Sequence, residues 1–158
     1  MIILEGADGS GKSTLKKAIL NTFTSLLDVS LTKLDPIKAR QDMALKKDTY
    51  NCLTDRSFFL SELVYSQVLR EYKVPATIWV PLYRELYKDH LVIICTGCGK
   101  DTRKAWDYNE EVWQKTQDTK VQARAIYSAI AEELGYPTYD FEVDSVDKVI
   151  NLVGNYIS

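Results

Sequence analysis

Histidine is almost missing from this chain: His90 stands alone, beside three cysteines, Cys52, Cys95 and Cys98. A structural zinc site takes four such ligands in two close pairs, and only Cys95-Thr96-Gly97-Cys98 supplies one pair. An odd number of cysteines also excludes a fully paired disulfide framework. The CxxC therefore reads as a strand end running into a loop rather than as a metal or redox motif. Long apolar runs are lacking too, and no basic leader precedes "MIILE". That pattern is expected of a soluble, cytoplasmic protein (the host's cytoplasm for a phage-encoded one) with no membrane partner. A basic surplus is absent: 20 Lys and Arg stand against 22 Asp and Glu, for a net charge of −2. A protein that coats nucleic acid needs a basic face, so nucleic acid is not the expected partner. No repeat, low-complexity tract or linker interrupts residues 1–158, which read as a single domain.

What is present is an alternation of short strands and amphipathic helices. Hydrophobic residues make up 46% of the chain, enough for a buried core. "IILE" (2–5) and "LVIIC" (91–95) are short apolar runs of the kind that strands buried on both faces show. "SLTKLD" (30–35), "YNCLTD" (50–55) and "TYDFEV" (138–143) are the other strand candidates. Residues 12–27 place Leu15, Ala18, Ile19, Thr22, Phe23, Leu26 and Leu27 on one helical stripe. Helices are also expected over 37–47, 59–72 and 110–134, the last closed by Gly135. Residues 76–88 read as one helix kinked at Pro81 or as a helix starting there. Asp144 is the expected cap of a final helix whose inner face carries Val146, Val149, Ile150, Val153 and Ile157. Five strands alternating with helices predict an α/β fold built on a mainly parallel sheet.

Between the first strand and the first helix lies Gly6-Ala7-Asp8-Gly9-Ser10-Gly11-Lys12-Ser13, which fits GxxxxGK[ST]. Such a loop turns backbone N–H groups onto an anion, and the helix N-terminus adds partial positive charge. Lys12 suits the β- and γ-phosphates of a nucleoside triphosphate, and Ser13, followed by Thr14, offers a hydroxyl to Mg²⁺. A GTPase switch is not expected: no DxxG is present, and "TKLD" (32–35) lies too early in the chain to read a base. A second chemical centre is Asp55-Arg56. Asp55 ends a strand at the carboxyl edge of the sheet, where ligands sit in such folds. It suits the Mg²⁺ shell or the orientation of an acceptor, and the planar Arg56 suits a phosphate.

These segments resemble the thymidylate kinase-like family of nucleoside monophosphate kinases. "IILEGADGSGKSTL" carries the likeness, with Glu5 before the loop and Asp8-Gly9 inside it. "TDRSFFLSELVYS" (54–66) is similar to that family's Asp-Arg followed by Ser and an aromatic. "LDP" (34–36) and Tyr127 are weaker echoes. The resemblance implies a three-layer P-loop kinase fold with a five-stranded parallel sheet. It also implies ATP with Mg²⁺ as donor and a small nucleotide as acceptor. On that reading Lys12, Asp55, Arg56 and Arg103 are catalytic, and Gly6, Asp8, Gly9, Ser10, Gly11, Lys12, Ser13 and Thr14 bind ATP. Asp8, Asp35, Arg56, Phe59, Tyr65 and Arg70 face the acceptor, and Ser13 and Asp55 hold the metal. Phe58 and Tyr50 are further aromatic candidates for the acceptor base. Some relatives carry an arginine inside the phosphate loop; this chain has none there. A lid over 96–109 with Lys100, Arg103 and Lys104 is expected to supply that cation instead. The stretch from Asp35 to Asp55 is short for the family, and it is where the acceptor-side wall is built.

Three activities are carried forward. The first is ATP-dependent phosphorylation of a deoxynucleoside monophosphate, a pyrimidine such as dTMP or a related dUMP derivative. The second is phosphorylation of a deoxynucleoside 5′-hydroxyl with Asp55 or Glu5 as base. The third is a polynucleotide 5′-kinase. A nucleotide-binding module without turnover is the non-enzymatic counterpart. The apolar helices 59–72 and 76–88 offer a surface for a homodimer.

Overall fold

Alternation along β1 (Ile2–Glu5) sets up the whole architecture. Ile2 and Leu4 pack on one side of the sheet, and Ile3 on the other. β4 (Leu91–Cys95) repeats the pattern, with Ile93 and Cys95 facing one way and Val92 and Ile94 the other. Side chains of period two thus feed two separate cores, one in each helical layer. The computed structural model describes residues 1–32, 34–46, 49–98 and 110–158, with 110–113 described in backbone only.

The five strands are all parallel, in the order β2-β3-β1-β4-β5. β2 is Leu27–Asp28, β3 is Cys52–Asp55 and β5 is Thr138–Tyr139. Six helices flank the sheet among the described residues: α1 (Lys12–Thr22), α2 (Ile37–Ala44), α3 (Phe58–Arg70), α4 (Ala76–Leu86), α5 (Glu110–Leu134) and α6 (Val146–Ile157). Leu15 and Ile19 of α1 join Val149 and Val153 of α6 on one face. Leu60, Leu63 and Val64 of α3, Trp79 of α4 and Ala123, Tyr127 and Ile130 of α5 close the other. The three-layer α/β fold is the one expected.

Chain order matters more than layering for the site. β1 connects through α1 toward β2 on one side, whereas β3 connects through α3 and α4 to β4 on the other. The two connections diverge at the carboxyl ends of β1 and β3, which opens a crevice between them.

Some boundaries differ from the sequence expectation. α1 ends at Thr22 rather than 27. Leu26 and Leu27 leave the helix, and the Leu27 N–H bonds to the Asn51 carbonyl (2.8 Å) as the sheet's edge strand begins. Residues 30–35 are therefore not the second strand. Their polar side chains capture their own backbone: Asp28 accepts from the Ser30 N–H (3.0 Å), and Asp35 from the Thr32 N–H (2.7 Å) and hydroxyl (3.0 Å). β5 stops at Tyr139 because Asp140 and Asp144 close a turn on each other, at 2.7 and 2.8 Å. Ser145, not Asp144, caps α6, accepting from the Asp147 N–H at 3.2 Å. α4 runs unbroken through Pro81 and starts after Pro75. Leu69, near the end of α3, is exposed.

Candidate active site

The phosphate loop needs glycine at its first position for a reason that can be measured. Gly6 has φ +149°, and a Cβ there would lie 2.4 Å from the Cys95 carbonyl oxygen and 2.7 Å from Ser10 Oγ. The loop thus lies directly against the end of β4, and only hydrogen fits between. Gly11 caps α1 in the left-handed region (φ +90°) and leaves room for the Phe141 ring, which a Cβ would meet at 2.8 Å. The first amides of α1 have no partner inside the helix and project from its end beside the exposed Ser13 and Thr14.

Lys12 is buried against this loop, its ammonium donating to the Gly6 (2.8 Å) and Ala7 (2.9 Å) carbonyls. Burial and the nearby Arg56 cation lower its pKa. Two like charges held this close favour an anion between them.

Arg56 leaves the end of β3 with φ +80°, a left-handed conformation uncommon for a non-glycine residue. Such a conformation costs about 1–2 kcal/mol. Its N–H donates to the Leu4 carbonyl (2.8 Å), tying the turn to β1. The guanidinium pairs with Asp8 and lies over the Tyr65 ring, 5.5 Å from its centroid. Asp55, one residue earlier, has its N–H bonded to Ser30 Oγ (2.8 Å) and its Oδ1 buried with no hydrogen-bond partner among the described residues. An orphaned carboxylate oxygen costs roughly 1–3 kcal/mol or more, so its place at the crevice calls for a ligand.

Two hollows open on these residues. One, of about 540 Å³, is lined by the phosphate loop, Lys12, Ser13, Thr14, Tyr139 and Phe141. The other, of about 770 Å³, runs between α2 and α3 past Lys16, Ser30, Arg40, Phe58, Glu62 and Tyr65. Both are of a size that holds a nucleotide. Asp8, Asp55 and Arg56 line both of them and form their common boundary.

The fit to Mg²⁺ rests on Asp55 and Ser13. Among the described residues no group of three or more His, Cys, Asp or Glu is arranged to hold a metal. A magnesium ion carried by nucleotide phosphates needs only one or two protein ligands, and an orphaned carboxylate with a hydroxyl on the same hollow meets that need. Cys95 is buried with its thiol pushed up to about 12 by burial, and Cys98 is exposed. Burial thus works against a reactive thiolate at Cys95.

Gly6, Asp8, Gly9, Ser10, Gly11, Lys12, Ser13, Thr14, Asp55, Arg56 and Tyr65 gather at this crevice. Others lie elsewhere. Asp35 does not itself line the larger hollow but bonds Thr32, which does. Phe59 packs against the core, and its neighbour Phe58 lines the hollow instead, with Arg40 5.2 Å over its ring. Arg70 pairs with Glu62 on an exposed surface. Tyr50 is exposed and away from both hollows. Lys100, Arg103, Lys104 and most of the expected lid over 96–109 lie outside the described residues. Sequence reasoning missed Lys16, Ser30, Arg40, Tyr139 and Phe141. Lys16 is one helical turn beyond Lys12 and so shares its face, a signal that was available.

Glu5 is the least expected feature. It is fully buried and accepts from the Ser57 N–H (2.5 Å), the Tyr127 hydroxyl (2.9 Å) and the Ser61 hydroxyl (3.3 and 3.4 Å). Burial raises its pKa against the pull of these donors and of Arg56.

No helix among the described residues is long and apolar enough to cross a membrane. No protein-family model matches the chain, and no curated protein does. Among solved structures it is similar to the YorR protein of Bacillus subtilis, in complex with phosphorylated GDP. The TM-score is 0.61 at 19% identity, over 99% of this chain and 94% of that one. At that identity the likeness establishes the fold: a three-layer α/β domain on a five-stranded parallel sheet.

Proposed function

We propose that this protein transfers the γ-phosphoryl group of ATP to the phosphate of a deoxynucleoside monophosphate. The acceptor in this reading is a pyrimidine nucleotide such as dTMP or a related dUMP derivative, and residues 1–158 form one kinase domain. The observation that carries the reading is the common boundary of the two hollows at Asp8, Asp55 and Arg56. A donor held by the phosphate loop would end its phosphate chain there, and an acceptor phosphate in the larger hollow would meet it. YorR, whose solved structure holds phosphorylated GDP, supports a phosphorylated nucleotide as ligand for this fold.

Phosphoryl transfer is mostly positioning and charge neutralisation. Gly6, Gly9, Ser10 and Gly11 shape the cradle, and Lys12 would turn from its loop carbonyls to the donor phosphates. Arg56 holds the acceptor phosphate by its planar fork, steadied by Asp8 and Tyr65. Mg²⁺ held by Ser13 and Asp55 would neutralise charge on the phosphates. Arg103 is the proposed lid cation. Phe141 and Tyr139 border the donor side and Phe58 the acceptor side, where aromatic faces suit nucleobases. An acceptor phosphate is already anionic, so no general base is required.

One observation favours the second reading, a nucleoside 5′-hydroxyl acceptor. The Asp55 oxygen without a hydrogen-bond partner among the described residues belongs to a side chain that lines both hollows, which supports Asp55 as the base in that reading. Glu5 does not qualify, because it is fully buried and its oxygens are engaged. A panel of nucleosides and monophosphates with γ-labelled ATP separates the readings. Label is expected on pyrimidine deoxynucleoside monophosphates, with Lys12→Ala and Arg56→Ala folded but each losing about 10²-fold or more of turnover. Label on nucleosides alone, or full activity in Arg56→Ala, would reject the proposal.

A further inference from the structure

The Arg56 turn is held from behind by a buried network that the kinase chemistry does not itself require. Arg56 has φ +80°, and the next N–H, that of Ser57, donates to the Glu5 carboxylate at 2.5 Å. The Ser57 hydroxyl shares a 2.5 Å hydrogen bond with Tyr87, the residue that caps the end of α4. The second Glu5 oxygen accepts from Tyr127 of α5 at 2.9 Å, and Ser61 on the first turns of α3 reaches both oxygens. Glu5, Ser57 and Ser61 are each buried, and Tyr87 and Tyr127 nearly or fully so.

A buried carboxylate with three donors and, among the described residues, no ion pair is an expensive way to fill a core position. An apolar residue at position 5 would continue the pattern of Ile3 and satisfy packing alone. What an apolar residue cannot do is bind the Ser57 N–H. That bond fixes the backbone on the far side of a conformation that a non-glycine residue avoids. Resting on the kinase reading above, we propose that Glu5 is a positioning residue for Arg56. Its carboxylate locks the left-handed turn after β3, so that the guanidinium projects to the boundary of the two hollows rather than relaxing away from it. Tyr127 and Ser61 orient the carboxylate, and Tyr87 holds Ser57 from the other side.

A merely structural Glu5 and a positioning Glu5 differ in what they couple to. The test is a double-mutant cycle between Glu5→Gln and Arg56→Ala, read on acceptor KM and kcat, with ATP affinity measured separately. Tyr127→Phe serves as a milder second variant that keeps the core packed. Glu5→Gln removes the charge and leaves one acceptor oxygen for donors that now occupy two, and loss of a hydrogen bond to a charged group corresponds to roughly 10- to 100-fold. Glu5→Gln is expected to lower kcat/KM for the acceptor by that factor while ATP affinity stays within about threefold, the scale of a few tenths to under 1 kcal/mol. Tyr127→Phe is expected to show a smaller loss of the same kind. Arg56→Ala on the Glu5→Gln background should then add little. Multiplying losses in the double variant, or a folded Glu5→Gln with wild-type acceptor constants, would overturn the proposal. If the wild type phosphorylates nucleosides only, the monophosphate reading falls and the same cycle is read on nucleoside constants. If it phosphorylates neither, a crystal structure of Glu5→Gln decides. Arg56 should leave the left-handed region, and an unchanged Arg56 turn would reject the role.

Discussion

Residue identity at two positions, 5 and 6, carries much of this site. Glycine at 6 is dictated by a carbonyl 2.4 Å from where a Cβ would stand. Glutamate at 5 is opposed by burial, which raises its pKa. The charged neighbours acting on it are Arg56, from the β3–α3 turn, and Lys12 of α1, with the Tyr127 hydroxyl of α5 as a donor. The raised pKa has a thermodynamic consequence. The folded state holds the Glu5 proton more tightly than the unfolded chain does. Stability from this group is therefore full below the ordinary glutamate range and is lost as pH rises through the elevated folded-state value. Thermal melts of wild type and Glu5→Gln between acid and neutral pH check this. The wild type should lose stability relative to the variant as pH rises, and parallel curves would contradict the assignment.

The phosphate loop was legible because its signal is local. Glycines, Lys12 and Ser13 at fixed spacing between a strand and a helix allow few other structures. Glu5 was visible as a letter but not as a buried acceptor, because Tyr127 and Ser57 approach it from distant parts of the chain. Phe58 and Phe59 are adjacent, and only the phase of α3 decides which faces the hollow. That phase is set by Leu60, Val64 and Ser61 turning inward.

Helix α4 shows what an element contributes beyond covering the sheet. Trp79 and Tyr83 of α4 and its capping residue Tyr87 recur every four residues on one side, with ring centroids 6.1 and 5.9 Å apart. The two tyrosine hydroxyls reach the start of α3: Tyr83 donates to the Phe59 carbonyl (2.7 Å) and Tyr87 bonds Ser57. α4 thus braces the turn that carries Arg56. Tyr87→Phe leaves the ring packed but strands a buried serine hydroxyl, and is expected to cost about 1–3 kcal/mol in urea unfolding. An unchanged unfolding midpoint would mean that the brace is not needed. For α4 the sequence left a kink or a start at Pro81 open, and the helix runs through it. The second strand was not, because Thr32 and Asp35 hydrogen-bond locally where a ladder was expected. The loop after β5 was read as strand for a similar reason, and Phe141 was hidden by that reading.

At the scale of the whole molecule, strand order makes the site. A parallel sheet could be anticipated from alternation of strands and helices, but the order 2-3-1-4-5 is what parts the loops after β1 and β3. The phosphate loop and Asp55-Arg56, some fifty residues apart in sequence, become the two lips of one crevice. The short stretch between Asp35 and Asp55 holds α2, whose Arg40 and Met43 face the larger hollow across from α3. The central claim is that the two hollows are donor and acceptor sites with a common boundary. A dinucleoside polyphosphate joining adenosine to deoxythymidine through five phosphates tests it, titrated by calorimetry against wild type and Arg56→Ala. The account expects one molecule bound per chain, about 100-fold or more tighter than ATP, because the second half binds intramolecularly. Arg56→Ala should lose most of that gain. Binding no tighter than ATP, or a gain that persists without Arg56, would contradict it.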